Sequence, residues 1–277
     1  MQKDLIFYTS GGNESGVTLN FADNNSADWV IFVHGFKGFK DWGFWHHIAA
    51  EFNHAGFNVL RFNFSHNGTG PHGSEFTRLD LFEENSFSLE RKELSEITDA
   101  LARGEFTESL PRSICLLGHS RGGAMAIFEA AVNSRIKSAA LWASVSKLNR
   151  YSERQLTDWE QKGYLEFLNT RTRQKMRAGK NLLDDIINQD KKGLNLKMAV
   201  KKINSQVIII HGEQDLTVKP EEAVEIYNNL KEGKGSKLVM LPATGHTFNA
   251  EHPFKGTNDK LESAINETIK FFKNILN

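Results

Sequence analysis

Apolar positions in the first part of the chain fall in short runs typical of strands, at residues 5–8, 17–21 and 29–33. The cluster of Gly11, Gly12, Asn13 and Gly16 between the first two predicts a hairpin, and with it an antiparallel start. Beyond this point the pattern becomes strand followed by helix. Residues 45–54 carry a helical period that stops near Gly56, and 58–62 read as a buried strand. Residues 89–101 form a second helix with acidic and basic positions interleaved, and the strand 114–117 runs into a helix over 122–132. The continuous apolar runs 139–145 and 207–210 suit strands covered on both faces. Residues 221–230 then read as a helix, 237–241 as the last strand and 260–275 as a closing amphipathic helix. The alternation predicts an α/β fold: a mostly parallel sheet of about eight strands with an antiparallel start and helices on both faces.

One stretch breaks the rhythm. Residues 147–204 carry their own aromatics, Trp159, Tyr164 and Phe167, yet no Pro- or Ser-rich linker flanks them. They are expected to form a cap inserted into a single core domain made of residues 1–146 and 205–277. A length of 277 residues would by itself admit one or two domains; the missing linker favours one. With 39% hydrophobic and 25% charged residues the bulk of the chain is not disordered. The 34 Lys and Arg cancel the 34 Asp and Glu, so no global field draws the protein to a phosphate backbone or an anionic lipid surface. Neither nucleic acid nor membrane is therefore expected as a partner. The first ten residues hold too short an apolar run for a secretion signal, and no stretch approaches the roughly 20 apolar residues of a membrane span. Cys115, the single cysteine, permits no intrachain disulfide and suits a reducing, cytoplasmic compartment. Its place on the strand 114–117 reads as a small core residue.

Candidate chemistry sits at the strand ends. Gly118-His119-Ser120-Arg121-Gly122 follows one strand directly and opens a helix, the context in which a Gly-x-Ser-x-Gly pentapeptide has mechanical meaning. A tight turn there lifts the hydroxyl above the sheet and leaves neighbouring N–H groups free. The bare pattern arises by chance in about one chain in ten of this length, so it needs partners. A serine hydroxyl is a poor nucleophile until a base takes its proton and a third group orients that base. Asp215 lies just past the strand 207–210, with Glu213 as the fallback acid, and His246 lies just past the strand 237–241. Ligands of open α/β sheets bind at those carboxyl ends.

Four segments together resemble the α/β-hydrolase superfamily over nearly the whole chain outside the insertion. The fourth is the strand 30–33 running into His34-Gly35-Phe36-Lys37-Gly38, which resembles the family's His-Gly loop. The resemblance implies an oxyanion hole made by the backbone N–H groups of Phe36 and Arg121, and a mechanism without a cofactor. His34-Gly35-Phe36-Lys37-Gly38, the strand exit Phe62-Asn63-Phe64-Ser65 and the length of the insertion are similar to small carboxylesterases of the cinnamoyl (feruloyl) esterase type. Serine at the nucleophile position, not Asp, argues against the dehalogenase and epoxide hydrolase branches; the absence of Cys there argues against the usual dienelactone hydrolase. Arg121 departs from the smaller or uncharged residue common in relatives: its cation either points away from the nucleophile or favours an acidic substrate.

The resulting expectation is a serine esterase acting on a small-molecule ester, with Ser120, Asp215 and His246 catalytic. A peptidase or amidase, thioesterase or acyltransferase could use the same machinery, and a non-catalytic ligand-binding role is the rival of another class. His34 and His119 flank the site and are expected to shape loops or orient neighbours. His46 and His47 are adjacent on a helix and point apart, so no metal is expected. His66 borders and His72 lies within the Gly-rich stretch 67–74, read as a mobile loop. Residues 171–177 would put four cations on one face of a charged edge strand, or form a surface for an acidic substrate or partner. Trp159, Tyr164 and Phe167 either pack the cap onto the body or line the pocket. The acyl and alcohol preferences and the oligomeric state are not encoded in any of these signals.

Overall fold

In chain order the elements of the computed structural model are β1 (Gln2–Tyr8), β2 (Glu14–Asn20), β3 (Asp28–Val33), α1 (Trp45–His54), β4 (Asn58–Phe62), α2 (Leu79–Glu84), α3 (Phe87–Ala102), β5 (Ser113–His119) and α4 (Arg121–Val132). There follow β6 (Ile136–Trp142), α5 (Glu153–Lys162), β7 (Leu165–Leu168), β8 (Lys175–Ala178), α6 (Lys180–Ile187), α7 (Leu196–Lys202), β9 (Gln206–Gly212), α8 (Pro220–Asn229), β10 (Lys237–Leu241) and α9 (Asp259–Leu276). The structure describes every residue except 24, 25, 72, 232–234 and 277; His72 thus lies outside the described residues.

Eight strands form one sheet in the order β1-β2-β4-β3-β5-β6-β9-β10. The first two pair antiparallel, with Tyr8 opposite Glu14 across the glycine-rich turn, and β2 also runs antiparallel to β4. All later neighbours are parallel. Alternate residues of each strand enter opposite cores, which is why the runs are apolar throughout. Val207 and Ile209 of β9 join the core under α3, α4, α7 and α8, whereas Ile208 and Ile210 join the one under α1 and α9. From β3 the chain moves to β4 on one side and later to β5 on the other, so the order reverses between β3 and β5. The carboxyl ends of those two strands flank the crevice where such folds bind ligands.

Helix α4 occupies the middle of its layer, and every residue from Arg121 to Ala130 is buried. Its first turn lies so close to β3 that a Cβ on Gly122 would stand 2.1 Å from the Val33 carbonyl oxygen. Only glycine fits there.

Three expectations are corrected. The strand predicted over 139–145 is β6, ending at Trp142; Ala143 takes a left-handed φ of 45°, and the chain leaves the sheet although Val145 stays buried. Burial in a loop, not strand pairing, makes the end of that run apolar. The charged strand over 171–177 is in fact the turn of the β7–β8 hairpin followed by a four-residue strand. Arg173 is left-handed at φ 61°, so only Lys175 and Arg177 share a strand face, and both pair with Glu166. The stretch 67–74 does not read as mobile at its start: Asn67 and Thr69 are buried, and Asn63 Nδ2 donates to Thr69 Oγ1 and the Gly70 carbonyl. Within 147–204, β8 packs on α2 and α6 on α3, while α7 packs on α4 and α8.

Candidate active site

Ser120 stands between β5 and α4 with φ 57° and ψ −119°, a region costing a residue other than glycine of order 1–3 kcal/mol. Three bonds hold it there: its N–H donates to the Trp142 carbonyl at 2.9 Å, and its own carbonyl accepts from the N–H groups of Gly123 at 3.0 Å and Val145 at 3.4 Å. The turn thus presents the Ser120 side chain to a cavity of about 280 Å3. His246, His119 and His34 line the same cavity.

Asp215 is buried at the end of β9 and accepts from the N–H groups of Thr217 and Val218 at 2.8 and 2.9 Å through one oxygen. Its other oxygen meets His246 Nδ1 at 2.7 Å and His211 Nε2 at 3.3 Å. Burial alone would raise this carboxyl; the bonds from His211, His246 and Val218 outweigh it and hold Asp215 well below the usual carboxylate range. An ionised Asp215 makes His246 Nδ1 the donor, which leaves Nε2 without a proton in the neutral ring. Gln214 N–H donates to the Thr244 carbonyl at 2.9 Å and so ties the acid's loop to the histidine's loop. Among the described residues no hydrogen bond joins Ser120 Oγ to His246 Nε2; in free enzymes such bonds are often long and tighten with substrate bound. Glu213 is exposed and donates its backbone N–H to Leu241, so the fallback acid points elsewhere.

The two remaining histidines are neutral supports. His119 Nε2 donates to the His246 carbonyl at 2.9 Å; burial, then the neighbouring His246, lowers its pKa to about 3. His34 accepts from Phe64 N–H through Nε2 and donates through Nδ1 to the Gly35 carbonyl at 3.0 Å; burial lowers its pKa to about 4. The Gly35 carbonyl also accepts from Gly38 N–H at 3.0 Å, so two donors fix the peptide whose N–H belongs to Phe36. A Cβ on Gly35 would lie 3.0 Å from Ser120 Cβ, a measure of how closely this loop meets the nucleophile turn. Among the described residues neither the Phe36 nor the Arg121 N–H has a hydrogen-bond partner.

The Arg121 side chain resolves the alternative left by the sequence: it points away from the cavity. Its guanidinium lies 4.1 Å from the Phe36 ring centroid and 4.7 Å from that of Phe87, with Glu90 Oε1 at 3.3 Å. The cation therefore braces the residues of both candidate oxyanion donors.

Not every expected pocket residue reaches the cavity. Trp159 is fully buried edge-on to Tyr151 at 5.3 Å, and Tyr164 lies under Arg177 at 4.2 Å; both border a separate cavity of about 320 Å3. Phe167 packs edge-on against Phe36 at 5.2 Å and supports the oxyanion loop without lining the cavity. The walls are instead Lys37, Trp42 and Phe44 from the loop after β3, Trp45 at the start of α1, and Asn169, Thr170 and Arg171 from the β7–β8 turn. Aromatic clustering at 42–45 is visible in the sequence, and Arg171 opens the basic run 171–177; nothing there marks Asn169 and Thr170. His46 and His47 diverge as expected, the former to Asp41 at 3.2 Å and the latter to Glu262 at 2.6 Å.

The reversed sheet order, the strained serine at the end of β5 and the acid–histidine pair past β9 and β10 define an α/β-hydrolase architecture. The chain belongs to the alpha/beta hydrolase family, whose model matches residues 30–260. A search of curated protein sequences finds no match. Among solved structures it is similar to ferulic acid-bound Est1E from Butyrivibrio proteoclasticus, with 18% identity, a TM-score of 0.73 and coverage of 98% of this chain and 99% of that one. It is also similar to the esterase domain of a Rhodothermus marinus protein (16%, TM-score 0.69, 100% of both chains). A dienelactone hydrolase from Anabaena variabilis matches comparably (16%, TM-score 0.66, 100% and 99%). At these identities the likeness establishes the fold. No helix among the described residues is long and apolar enough to cross a membrane.

Proposed function

We propose that this protein is a serine hydrolase of carboxylic esters that works through an acyl-enzyme. The observation that carries the reading is the 2.7 Å pair between His246 Nδ1 and buried Asp215, set on the same cavity as the strained Ser120 turn. His246 Nε2 takes the proton from Ser120 Oγ as the oxygen attacks the ester carbonyl, and Asp215 holds the tautomer and stabilises the imidazolium. The N–H groups of Phe36 and Arg121 receive the negative charge of the tetrahedral intermediate, each worth about 3 kcal/mol in well-measured cases. Collapse expels the alcohol with the proton from His246. Water, deprotonated by the same nitrogen, then releases the acid and restores the serine. The residues from 147 to about 194 act as the cap, with α7 as the return into the body. The esterase names of several structural neighbours accord with this substrate class.

The test is Ser120→Ala, which should lower turnover of p-nitrophenyl acetate by about 10⁴-fold or more with the fold intact. A fluorophosphonate probe should label the parent at Ser120 and not the variant. Full activity in Ser120→Ala would refute the nucleophile. A silent probe on the parent would favour a binding role, and an amide or thioester preferred on kcat/KM would move the protein to another reaction class.

A further inference from the structure

Apart from the histidines, two of the described residues lining the cavity carry a formal charge, Lys37 and Arg171, and both are cations. Among the described residues no Asp or Glu lines it, and burial keeps His34 and His119 neutral. Among the described residues, neither the Lys37 ammonium nor the Arg171 guanidinium has a carboxylate within 4.0 Å, and neither donates a side-chain hydrogen bond. The contrast with their neighbours is sharp: Lys40 is paired with Asp41, Lys175 and Arg177 with Glu166, and Arg121 with Glu90. Lys37 is half-buried, and that burial disfavours its charged form. It also takes a left-handed φ of 56°, a conformation that glycine adopts at no cost and lysine does not. An unpaired cation kept on a strained, partly desolvated backbone position beside the candidate oxyanion donor Phe36 is an incomplete ion pair.

We infer that the substrate completes it: the ester carries a second, free carboxylate on its acid half, held between Lys37 Nζ and the Arg171 guanidinium. This rests on the esterase reading of the same site. The acid half is assigned because Lys37 adjoins the residue that receives the carbonyl oxygen, whereas the alcohol must lie toward His246, which protonates it. A cavity of about 280 Å3 is at the small end for ligand pockets, which suits the monoester of a short dicarboxylic acid. Hydrolysis adds water across the ester bond and releases the alcohol, the dicarboxylate and one proton. Arg171 supplies a planar fork matched to a carboxylate, and Lys37 a point charge.

Monomethyl glutarate and dimethyl glutarate have the same chain and differ in one charge. The parent should show kcat/KM at least about tenfold higher for the monoester, a gap that narrows as salt is raised because Arg171 is exposed. In Lys37→Met and in Arg171→Gln the ratio of the two values should fall toward one, and Lys37→Arg should restore part of it. Direct binding is read by calorimetry on Ser120→Ala protein, which should take up the monoester more tightly than the diester and lose the difference when Lys37→Met is added. A parent that hydrolyses both esters equally would overturn the inference and leave the esterase reading standing. So would a ratio unmoved in both variants. Preferential monoester binding with hydrolysis of neither ester would sustain the anion site and defeat the esterase reading.

Discussion

The body and the insertion meet at one cavity and contribute in different ways. From the body come Ser120, just past β5, and His246, on the loop after β10; Asp215, on the loop after β9, pairs with His246, and backbone hydrogen bonds hold Ser120 and Asp215. From the insertion come Asn169, Thr170 and Arg171, on a turn with Thr170 and Arg171 exposed. The first group is held by hydrogen bonds to the sheet and between the loops that follow it, such as Ser120 N–H to the Trp142 carbonyl and Gln214 N–H to the Thr244 carbonyl. The second group can change without disturbing any ladder. On the proposed reading, chemistry lies with the group that hydrogen bonds hold to the sheet, and selectivity with the exposed turn.

The sharpest way to break this contrast is to change the acid. Asp215→Asn keeps the shape but no longer secures the tautomer of His246, and kcat on a short ester should fall by about 10⁴-fold, some 5 kcal/mol of barrier. Glu213→Gln should stay within about twofold of the parent, since it is exposed and unpaired with the imidazole. Equal losses in the two would undo the assignment of Asp215.

Next in size is the close approach that sets the nucleophile turn. Gly122→Ala drives a Cβ against the Val33 and His34 carbonyl oxygens, at 2.1 and 2.6 Å, and should cost about 3 kcal/mol in urea unfolding. A variant as stable as the parent would show that α4 can retreat from β3.

A comparable effect depends on pH. Glu93 is buried on α3, accepting from Ser65 N–H at 3.0 Å and from the Ser65 hydroxyl, which in turn contacts His66. Burial pushes its carboxyl from 4.5 up to about 7, against both Ser65 bonds and with help from Glu90 and Glu96. The folded state holds this proton where the unfolded chain has released it. Its share of stability is therefore full below pH 4.5 and is lost as pH rises to about 7, a loss of about 3 kcal/mol. His34 and His119, kept neutral by burial, act with the opposite sign and cost stability as pH falls below 6.5. Subtracting the Glu93→Gln curve from the parent curve isolates the carboxyl; parallel curves would mean that Glu93 is already ionised.

The smallest effect sharpens the insertion's side. Trp159→Phe removes a buried indole N–H that has no partner among the described residues and leaves a small void, two changes of opposite sign. Stability should move by about 1 kcal/mol or less, with kcat/KM within about twofold of the parent. A large loss of activity would return Trp159 to the cavity wall.

The sequence alone determined the sheet, the antiparallel start, the helix α1 to the residue, and the family to which the chain belongs. It also singled out Ser120 and His246, which the structure brings to one cavity, and Asp215, which pairs with His246. Those features are local: an apolar run, a glycine that permits one turn, or a polar residue just past a strand carries the signal within a few positions. Tertiary structure alone decided which way Arg121 points, since a guanidinium beside a nucleophile can turn toward Glu90 or toward the substrate until Phe36, Phe87 and Glu90 are in place. It alone brought Lys37 and Arg171 to one cavity across 134 residues of chain, and sent Trp159 and Tyr164 to another. The physical reason is common to these cases. A strand's apolar period reports the faces it buries, whereas the partner of an irregular loop is chosen by packing between distant segments, and no pattern within the loop encodes it.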